Sequence, residues 1–355
     1  MNDHRINFYP VAFGFGPLAT AAYIAQEVRQ LAGKTITLVL VVDNASDLEY
    51  PAALLQCFDK VERMSARSTA DLHLTVMNEK AVRALNDEGN RVFIIDVLSW
   101  LWARSYAAAS LAERYYYQRI PWLSAYDHSS ALPDNAIPVN PIVRPFQNNK
   151  HQETFQIDDH TPIISLGGMD TTDPGTRDQY LRLLLSFTKK TGNRCFPILF
   201  GNMQSFEHDA YAAMGRDNDR SLLGSYVLRG GGLLCAAGLT TVLECLSSGI
   251  PFGLLPPQNY SQARLAHILH GYGIPRLTWE SPACRYAESH VIEEMQGVRL
   301  INTSIRNAYN SQRFISAEQV ESLWSSTRSE DLPSQLANGA YDGASFLAKE
   351  LIHAL

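Results

Sequence analysis

Short, nearly continuous apolar runs alternate along this chain with amphipathic stretches of helical length. The clearest run is Ile36–Val42, and a second one covers residues 92–95. Parallel strands that are covered by helices on both faces have this composition, whereas half-exposed strands alternate apolar and polar residues. A first strand is predicted over residues 6–13, although Pro10 cannot donate to a sheet ladder. The pattern therefore predicts an α/β protein built on parallel sheets.

The hydrophobic periodicity is lost between about residues 127 and 160. This segment contains four prolines and a polar run, which is the composition of a connection between domains. Apolar runs that end in glycine turns resume after it. We therefore predict two α/β domains, over residues 1–150 and 161–338. A C-terminal helix is predicted over residues 339–355, and the family resemblance given below implies that it crosses back to the first domain.

The composition argues against several classes of protein. The net charge of −6 disfavours a nucleic-acid backbone as the main partner, because that partner needs basic neutralisation. No apolar stretch approaches the ~20 residues of a membrane span, and the N-terminus lacks an apolar core of signal-peptide length. The five cysteines have no metal-ligand spacing and fit buried thiols in a reducing cytoplasm. We therefore predict a cytoplasmic protein with no nucleic-acid partner and no membrane span.

The most informative motif lies in the second half, over residues 236–244. A short apolar strand precedes Gly238, and Thr240 or Thr241 is placed to cap the helix that follows. A helix that begins at the carboxyl end of a strand offers free N–H groups and a positive dipole end to phosphate. Glu244, within about the first turn, is placed to accept hydrogen bonds from sugar hydroxyls. The same residues also suit an ordinary capped helix, so the motif alone leaves both interpretations open.

A longer ordered pattern surrounds this motif. Helix stop signals, a strand, a polar loop and a second helix follow it. The whole block resembles the donor-binding half of the sugar-nucleotide-dependent glycosyltransferases with two Rossmann-like domains, the MurG-like and UDP-glycosyltransferase group. The matching positions are Gly238, Thr241, Glu244, Gly249, Pro251, Pro256 or Pro257, Gln262 and Ala266. One position departs, because Leu265 stands where the family often has asparagine.

The resemblance implies a fold and a set of donor contacts. The implied fold is the GT-B architecture, in which two Rossmann-like domains face each other across a cleft. The first domain is implied to lie on the acceptor side, and the second to bind the nucleotide sugar. Glu244 is implied to hold the nucleotide ribose, and Gln262 to reach hydroxyls of the donor sugar.

Two glycine loops are implied to approach the donor through their backbone. Gly167 and Gly168 end the first apolar run of the second domain, and Gly14 and Gly16 lie between the first strand and its helix. A lone Gly-x-Gly is equally well explained as a structural turn. In the family a histidine base commonly follows the second glycine of the first loop. Here that position is Pro17, so the usual deprotonation scheme cannot simply be transferred.

With Pro17 in the place of the histidine, Asp96 is the leading candidate for a general base or an acceptor anchor. It directly follows a predicted buried strand, where an aspartate points into the ligand cleft. The alternative is a cap that accepts hydrogen bonds from backbone N–H groups, and the two roles are compatible. His73 and His128 are weaker candidates, because most single histidines are structural or surface groups. The aromatic residues between positions 100 and 126 are expected to fill the core or, alternatively, to wall an acceptor pocket.

The reaction implied by the resemblance is inverting transfer of a sugar from a nucleotide diphosphate sugar, with a UDP-sugar favoured, to a small-molecule acceptor. Leaving-group charge would be taken by N–H groups and the helix dipole at residues 238–241, so neither a metal nor a cofactor is expected. The Gly-Phe-Gly start, the absent histidine and the aromatic-rich first domain loosely resemble enzymes that glycosylate a free pyrimidine base in antibiotic biosynthesis, such as cytosylglucuronate synthases.

Two alternatives remain open at this point. Sugar-nucleotide 2-epimerases share the two-domain plan, although they need several acids and histidines along the cleft. A non-catalytic glycosyltransferase-like partner subunit is the other, because Pro17 occupies the position of the usual base. The sequence leaves the acceptor and the oligomeric state undetermined.

Overall fold

The computed structural model describes residues 4–43, 52–64, 69–101, 108–126, 132–146, 163–167, 173–186, 198–200, 223–224, 227–228, 231–329, 331–337 and 339–355. The chain divides into two compact units. The first comprises Met1–Arg144 and Asn338–Leu355, and the second comprises Pro145–Ala337. Each unit contains its own parallel sheet.

The first unit is built on a seven-stranded parallel sheet. Its strands are β1 (His4–Pro10), β2 (Ile36–Val42), β3 (Lys60–Arg63), β4 (Leu72–Val76), β5 (Val92–Asp96), β6 (Arg114–Gln118) and β7 (Ala136–Val139). Their order in the sheet is β3-β2-β1-β4-β5-β6-β7. Strand β2 coincides with the predicted apolar run, whereas β1 begins before residue 6 and ends at Pro10. Proline closes this strand because it has no N–H to extend the ladder.

Apolar cores cover both faces of this sheet. Successive side chains of β1 alternate between the faces. Phe8 lies in one core with α1 (Gly16–Ala32) and the C-terminal helix (Gly343–Ala354). Tyr9 lies in the other core with α3 (Glu79–Asp87). The unit also contains α2 (Ala52–Leu55) and the 3-10 segments Ala109–Leu111 and Pro121–Tyr126.

The C-terminal helix packs on the first unit through a backbone-to-backbone approach. Leu347 and Leu351 are fully buried in the core that α1 also lines. The N–H of Gly343, the first residue of the helix, donates to the carbonyl oxygen of Pro141 at 3.3 Å. A Cβ at Gly343 would overlap the carbonyl oxygen of Asn140. Glycine is therefore required here by close contact, whatever its backbone angles.

We predict that Gly343→Ala destabilises the protein by about 2 kcal/mol or more, because the added methyl group forces the helix away from the backbone of Asn140. Urea denaturation followed by circular dichroism measures the change. Gly271→Ala is the matched control, since Gly271 lies in a helix and an added Cβ there meets nothing within 4 Å. An unchanged midpoint for Gly343→Ala would contradict the close approach.

A chain of buried polar side chains runs along β1 and across to β4. Arg5 Nε donates to Asn7 Oδ1 at 2.8 Å, and Asn7 Nδ2 donates to Tyr9 Oη at 3.3 Å. Tyr9 Oη lies 3.0 Å from His73 Nδ1. Burial, and after it the positive charge of Arg5, lowers the pKa of His73 from 6.5 to about 4. The imidazole is therefore neutral at neutral pH.

This lowered pKa predicts a loss of stability in mild acid. The unfolded chain takes up a proton near pH 6.5 while the folded chain resists until about pH 4, so stability falls as the pH drops through this window. Between pH 7 and pH 4 the contribution of His73 amounts to about 3 kcal/mol. Urea denaturation of His73→Gln should show a correspondingly flatter pH dependence than the wild type. His290→Gln, at an exposed position, should follow the wild type.

The second unit contains a four-stranded parallel sheet of order β11-β10-β8-β9. Its strands are β8 (Ile163–Ser165), β9 (Ile198–Phe200), β10 (Leu233–Cys235) and β11 (Phe252–Leu254). Its helices include α4 (Pro174–Leu184), α5 (Leu239–Ser248), α6 (Tyr260–Gly271), α7 (Pro282–Ser289), α8 (Glu294–Asn310), α9 (Ala317–Ser329) and α10 (Ser334–Ala337). Helix α5 ends at Gly249, whose φ of 65° is the left-handed conformation of a glycine C-cap.

The predicted α/β class with two Rossmann-like domains is confirmed, because each unit has a parallel sheet with associated helices. Within the described part of the chain, every helix falls short of the length and apolar character that crossing a membrane requires.

Candidate functional site

Three loops meet at the carboxyl edge of the second sheet. The segment after β10 bonds back to the end of β8, because the Ala236 N–H donates to Ser165 O at 3.1 Å. The segment after β11 also reaches this edge, because Gln258 Nε2 donates to Leu166 O at 3.0 Å. In open parallel sheets the carboxyl edge is where ligands bind. The site residues predicted for the second domain therefore lie on loops that are joined by hydrogen bonds.

Helix α5 begins at this edge with Gly238 as its N-cap. The expected cap at Thr240 or Thr241 is wrong, because both threonines already lie inside the first helical turn. Gly238 has φ −73° and ψ 128°, which any residue adopts. Among the described residues, an added Cβ would meet only Ala236 O, at 3.9 Å. Glycine is tolerated at a helix N-cap, but neither its backbone angles nor crowding by the described residues requires it here. Glycine has no side chain that could cap the first-turn N–H groups of the helix.

Glu244 is the sixth residue of α5, about one and a half turns from its start. Its side chain is buried, with 2% of the residue exposed. Burial and, after it, the negative charge of Glu244 raise the pKa of Cys235 to about 12. Cys245 has its pKa raised by burial and by the charges of Cys235 and Glu244. The carboxylate therefore lies close enough to Cys235, the last residue of β10, for its charge to act on that thiol.

Gln262 is the third residue of α6 and half-buried. Its backbone N–H is capped by Asn259 Oδ1 at 3.0 Å. Its side-chain Oε1 accepts a hydrogen bond from the backbone N–H of Gln258 at 2.9 Å. A backbone N–H can only donate, so the amide orientation of Gln262 is chemically determined. The Nε2 group is left to donate to something else.

The glycine pair after β8 is described only in part. Gly167 has φ +64°, a backbone conformation that favours glycine, and an added Cβ would meet nothing within 4 Å. This glycine is therefore explained by its backbone angles. Gly168 lies outside the described residues.

The candidates in the first unit lie at the carboxyl edge of its own sheet. Gly14, with φ +61°, belongs to the turn that follows β1. Gly16 and Pro17 are the first two residues of α1, with Phe15 as N-cap. Proline is well suited to this position, because the first N–H groups of a helix have no partner within it. Pro17 therefore has a local structural explanation.

Asp96 is the last residue of β5 and has 1% of its surface exposed. Its Oδ1 accepts a hydrogen bond from the Leu98 N–H at 2.8 Å, and its Oδ2 accepts one from Tyr115 Oη at 2.6 Å. The predicted capping contact to a backbone N–H is therefore present, and the described residues directly after Asp96, residues 97–101, form a bend and a turn. A role as base or acceptor anchor stays a prediction.

The histidine and aromatic candidates of the first unit lie in different places. His73 is the second residue of β4, near the amino end of the strand, so it lies away from the carboxyl edge that carries Asp96. His128 lies outside the described residues. Five described aromatic residues between positions 100 and 126 are buried or half-buried and fill the core. These are Trp100, Tyr115, Tyr116, Tyr117 in part, and Trp122.

Two residues of this site, Gln258 and Asn259, were not among the residues predicted from the sequence. Asn259 could have been predicted, because an Asn followed three residues later by Gln marks the start of a helix. No local sequence pattern indicates Gln258, since its partner Leu166 lies 92 residues away along the chain.

No protein-family model and no curated protein matches the chain by sequence. Solved structures do match. The spinosyn rhamnosyltransferase SpnG, complexed with thymidine diphosphate, has a TM-score of 0.54 at 12% identity, over 98% of this chain and 100% of its own. The glycosyltransferase SnogD from Streptomyces nogalater has a TM-score of 0.52 at 12% identity, over the full length of both chains.

The chain has the GT-B fold. This confirms the architecture implied by the sequence resemblance. A protein from Listeria monocytogenes described as a UDP-N-acetylglucosamine 2-epimerase is similar at a TM-score of 0.50 and 9% identity, over 99% of this chain and 95% of its own. The GT-B fold therefore accommodates both transferases and an epimerase, and the activity has to be argued from the site.

The contacts of Asp96 generate a stability prediction. Asp96→Ala removes the acceptors of the Leu98 N–H and the Tyr115 hydroxyl and should cost about 2–4 kcal/mol. Asp96→Asn keeps one carbonyl oxygen and nearly the same shape, so it should cost clearly less. Urea denaturation of the two variants measures the difference. Equal stability of Asp96→Ala and the wild type would show that the two hydrogen bonds contribute nothing.

Proposed function

We propose that this protein is a glycosyltransferase that moves a sugar from a nucleotide diphosphate sugar to a small-molecule acceptor, with the donor bound in the second unit. The observation that carries the proposal is Gly238. Among the described residues, neither backbone angles nor crowding requires glycine at the N-cap of α5, where Ser, Asp or Asn would cap the helix better. A ligand that approaches the first turn of the helix supplies a reason for glycine, because any side chain would stand in its way.

The diphosphate is proposed to lie at the start of α5. The backbone N–H groups of Leu239, Thr240 and Thr241 precede the first intrahelical donor, the Val242 N–H, so they have no acceptor within the helix and point out of its end. These residues are half-buried, so the helix end is partly open to a ligand. The helix dipole adds about half a positive charge at this end. The threonine hydroxyls add further hydrogen-bond donors.

The ribose and the sugar are assigned to residues on either side of this helix start. Glu244 is proposed to accept hydrogen bonds from the ribose hydroxyls. Its carboxylate is already shielded from water, which strengthens such bonds. Gln262 is proposed to donate through Nε2 to a hydroxyl of the donor sugar, with the backbone of Gly167 and Gly168 bordering the same sugar. A UDP-sugar is favoured by the sequence resemblance.

The proposed chemistry is direct displacement at the anomeric carbon, with inversion. Negative charge that develops on the leaving diphosphate is stabilised by the N–H groups at α5, so the scheme uses neither metal nor cofactor. The acceptor, a nucleobase or another natural-product intermediate, is assigned to the first unit. Gly14 and Gly16 are proposed to border the donor sugar as well as the acceptor. Asp96 is its proposed base or anchor, a role that would have to coexist with the hydrogen bonds to Leu98 and Tyr115.

A sugar-nucleotide 2-epimerase is the second candidate, favoured by the likeness in fold to the Listeria monocytogenes protein. Product analysis separates the two activities, because an epimerase converts a sugar nucleotide in the absence of any acceptor. Incubation of the purified protein with UDP-N-acetylglucosamine alone, followed by anion-exchange chromatography, should return the substrate unchanged. A new sugar nucleotide in this incubation would favour the epimerase and contradict the transferase.

The donor site predicts a specific pattern of binding. Gly238→Ala should lower the melting temperature slightly, because alanine is a poorer N-cap than glycine, and should bind the preferred nucleoside diphosphate at least tenfold more weakly, about 1.4 kcal/mol. Glu244→Gln should also bind more weakly, because it loses the charged acceptor for the ribose. Isothermal titration calorimetry with UDP, TDP, GDP and ADP measures these affinities.

Gly271→Ala is the control for these titrations, because it adds the same methyl group to an open position of α6. It should bind like the wild type. If the wild type bound none of the four diphosphates, the donor site would be refuted and the protein would be treated as a non-catalytic partner subunit. Unchanged affinity in Gly238→Ala would remove the observation on which the proposal depends.

A further inference from the structure

We infer that Gln258 is a positioning residue that sets the geometry of the donor-sugar subsite, an inference that rests on the proposed function. Gln258 lies between β11 and α6 and has 3% of its surface exposed. Its side-chain Nε2 is already engaged by a carbonyl oxygen of the chain, so it is not assigned a direct contact with the sugar. Two of its hydrogen bonds reach the two elements to which the sugar is assigned.

The first bond joins Gln258 to the glycine loop after β8. Its Nε2 donates to Leu166 O at 3.0 Å. A carbonyl oxygen only accepts, so the atom that faces it has to be the amide nitrogen. Leu166 directly precedes Gly167, and the bond therefore holds the loop at the residue where the backbone enters its left-handed turn.

The second bond joins Gln258 to the side chain of Gln262. The backbone N–H of Gln258 donates to Gln262 Oε1 at 2.9 Å. This contact holds the amide so that Nε2 is the group available to a ligand. Among the described residues, none accepts a hydrogen bond from this Nε2. A sugar hydroxyl oxygen has the chemistry to accept it.

Aromatic anchors hold the backbone before Gln258, so the residue sits on a rigid support. Tyr180 Oη donates to Pro256 O at 3.0 Å, and Trp279 Nε1 donates to Pro257 O at 2.8 Å. The two rings also pack edge to face, with centroids 5.7 Å apart. The Tyr180 hydroxyl also has a hydrogen bond with the side chain of Gln258, whereas the bond from Trp279 does not involve that side chain. A change of the Gln258 side chain therefore releases the glycine loop, while the backbone N–H that orients Gln262 is kept.

This arrangement separates two parts of the donor. The diphosphate is assigned to the start of α5, to which neither of these two hydrogen bonds leads. The sugar is assigned to Gln262, which the backbone N–H of Gln258 orients, and to the glycine loop, which its side chain holds. A change at Gln258 should therefore weaken the extra affinity that the sugar confers and leave the affinity for the diphosphate in place.

Calorimetric titration tests this separation. Wild type and Gln258→Leu are titrated with UDP, TDP and the matching sugar nucleotides UDP-glucose, UDP-N-acetylglucosamine, UDP-glucuronate and TDP-glucose. For the sugar nucleotide that the wild type prefers, the ratio of its affinity to that of its diphosphate should fall about tenfold in Gln258→Leu. The affinity for the diphosphate itself should change less than threefold.

Two further variants distinguish positioning from a general loss of structure. Gln118→Leu removes an equally buried glutamine that accepts a backbone hydrogen bond at 2.7 Å in the first unit, and its affinity ratio should equal that of the wild type. Gln258→Glu keeps the side-chain length, but its carboxyl group donates to Leu166 O only when protonated. The ratio of sugar-nucleotide affinity to diphosphate affinity in Gln258→Glu, divided by the wild-type ratio at the same pH, should rise toward one as the pH is lowered from 8 to 5.

The outcomes separate this inference from the proposed function. If no diphosphate binds to the wild type, the proposed function fails and the inference fails with it. If a diphosphate binds but no sugar nucleotide binds more tightly, or if the ratio is unchanged in Gln258→Leu, the inference alone is overturned. An equal loss of diphosphate and sugar-nucleotide affinity would also overturn it, because that is the result of a merely structural role.

Discussion

Parallel strands have to be covered on both faces, and most features of this protein follow from that constraint. In the first unit, β1 places Phe8 in one core and Tyr9 in the other, and both are almost completely buried. In the second unit, all three residues of β10 are fully buried. With both faces closed, the ends of the strands are where polar backbone groups and new helices meet solvent. The candidate residues gather at these carboxyl edges for this reason.

The glycines of the protein show how differently one residue type is used. Gly249 and Gly167 have positive φ angles, so backbone conformation explains them. Gly343 has close backbone neighbours, so contact explains it. Among the described residues Gly238 has neither explanation, and this is the basis for the proposal that a ligand approaches the chain there. These uses are distinguished by the backbone φ angle and by the free space around the Cα atom, and the amino-acid sequence gives neither.

The carboxyl edge of the second sheet is held in shape before any ligand arrives. Carbonyl oxygens of its loops are bound by Tyr180, Trp279 and Gln258, and the α6 start is capped by Asn259. A site that is already ordered loses little conformational entropy on binding, so more of the contact energy appears as affinity. The orientation of the Gln262 side-chain amide therefore depends on the ordered backbone of this loop, through the N–H of Gln258.

The local sequence by itself determined the class of fold and much of the candidate donor site. The apolar run Ile36–Val42 became β2 without a change of bounds, and the strand, glycine and acid around Gly238 and Glu244 lie where the pattern placed them. These features depend on side-chain periodicity and on turn chemistry over a few neighbouring residues. Such interactions are short in range, so the order of residues is enough to predict them.

Tertiary structure decided the features that join distant segments. The helix at Gly238 begins before the predicted threonine caps, because Gly238 lies in an extended conformation that directs the next residue into the helix. The pairing of Gln258 with Leu166 and the contact of Gly343 with Asn140 join residues far apart in the chain. Their energies depend on hydrogen-bond geometry and close packing, which exist only after the sheets have formed. The local sequence predicts the strands and turns, whereas the packing of the folded chain determines which polar groups come within hydrogen-bond distance of one another.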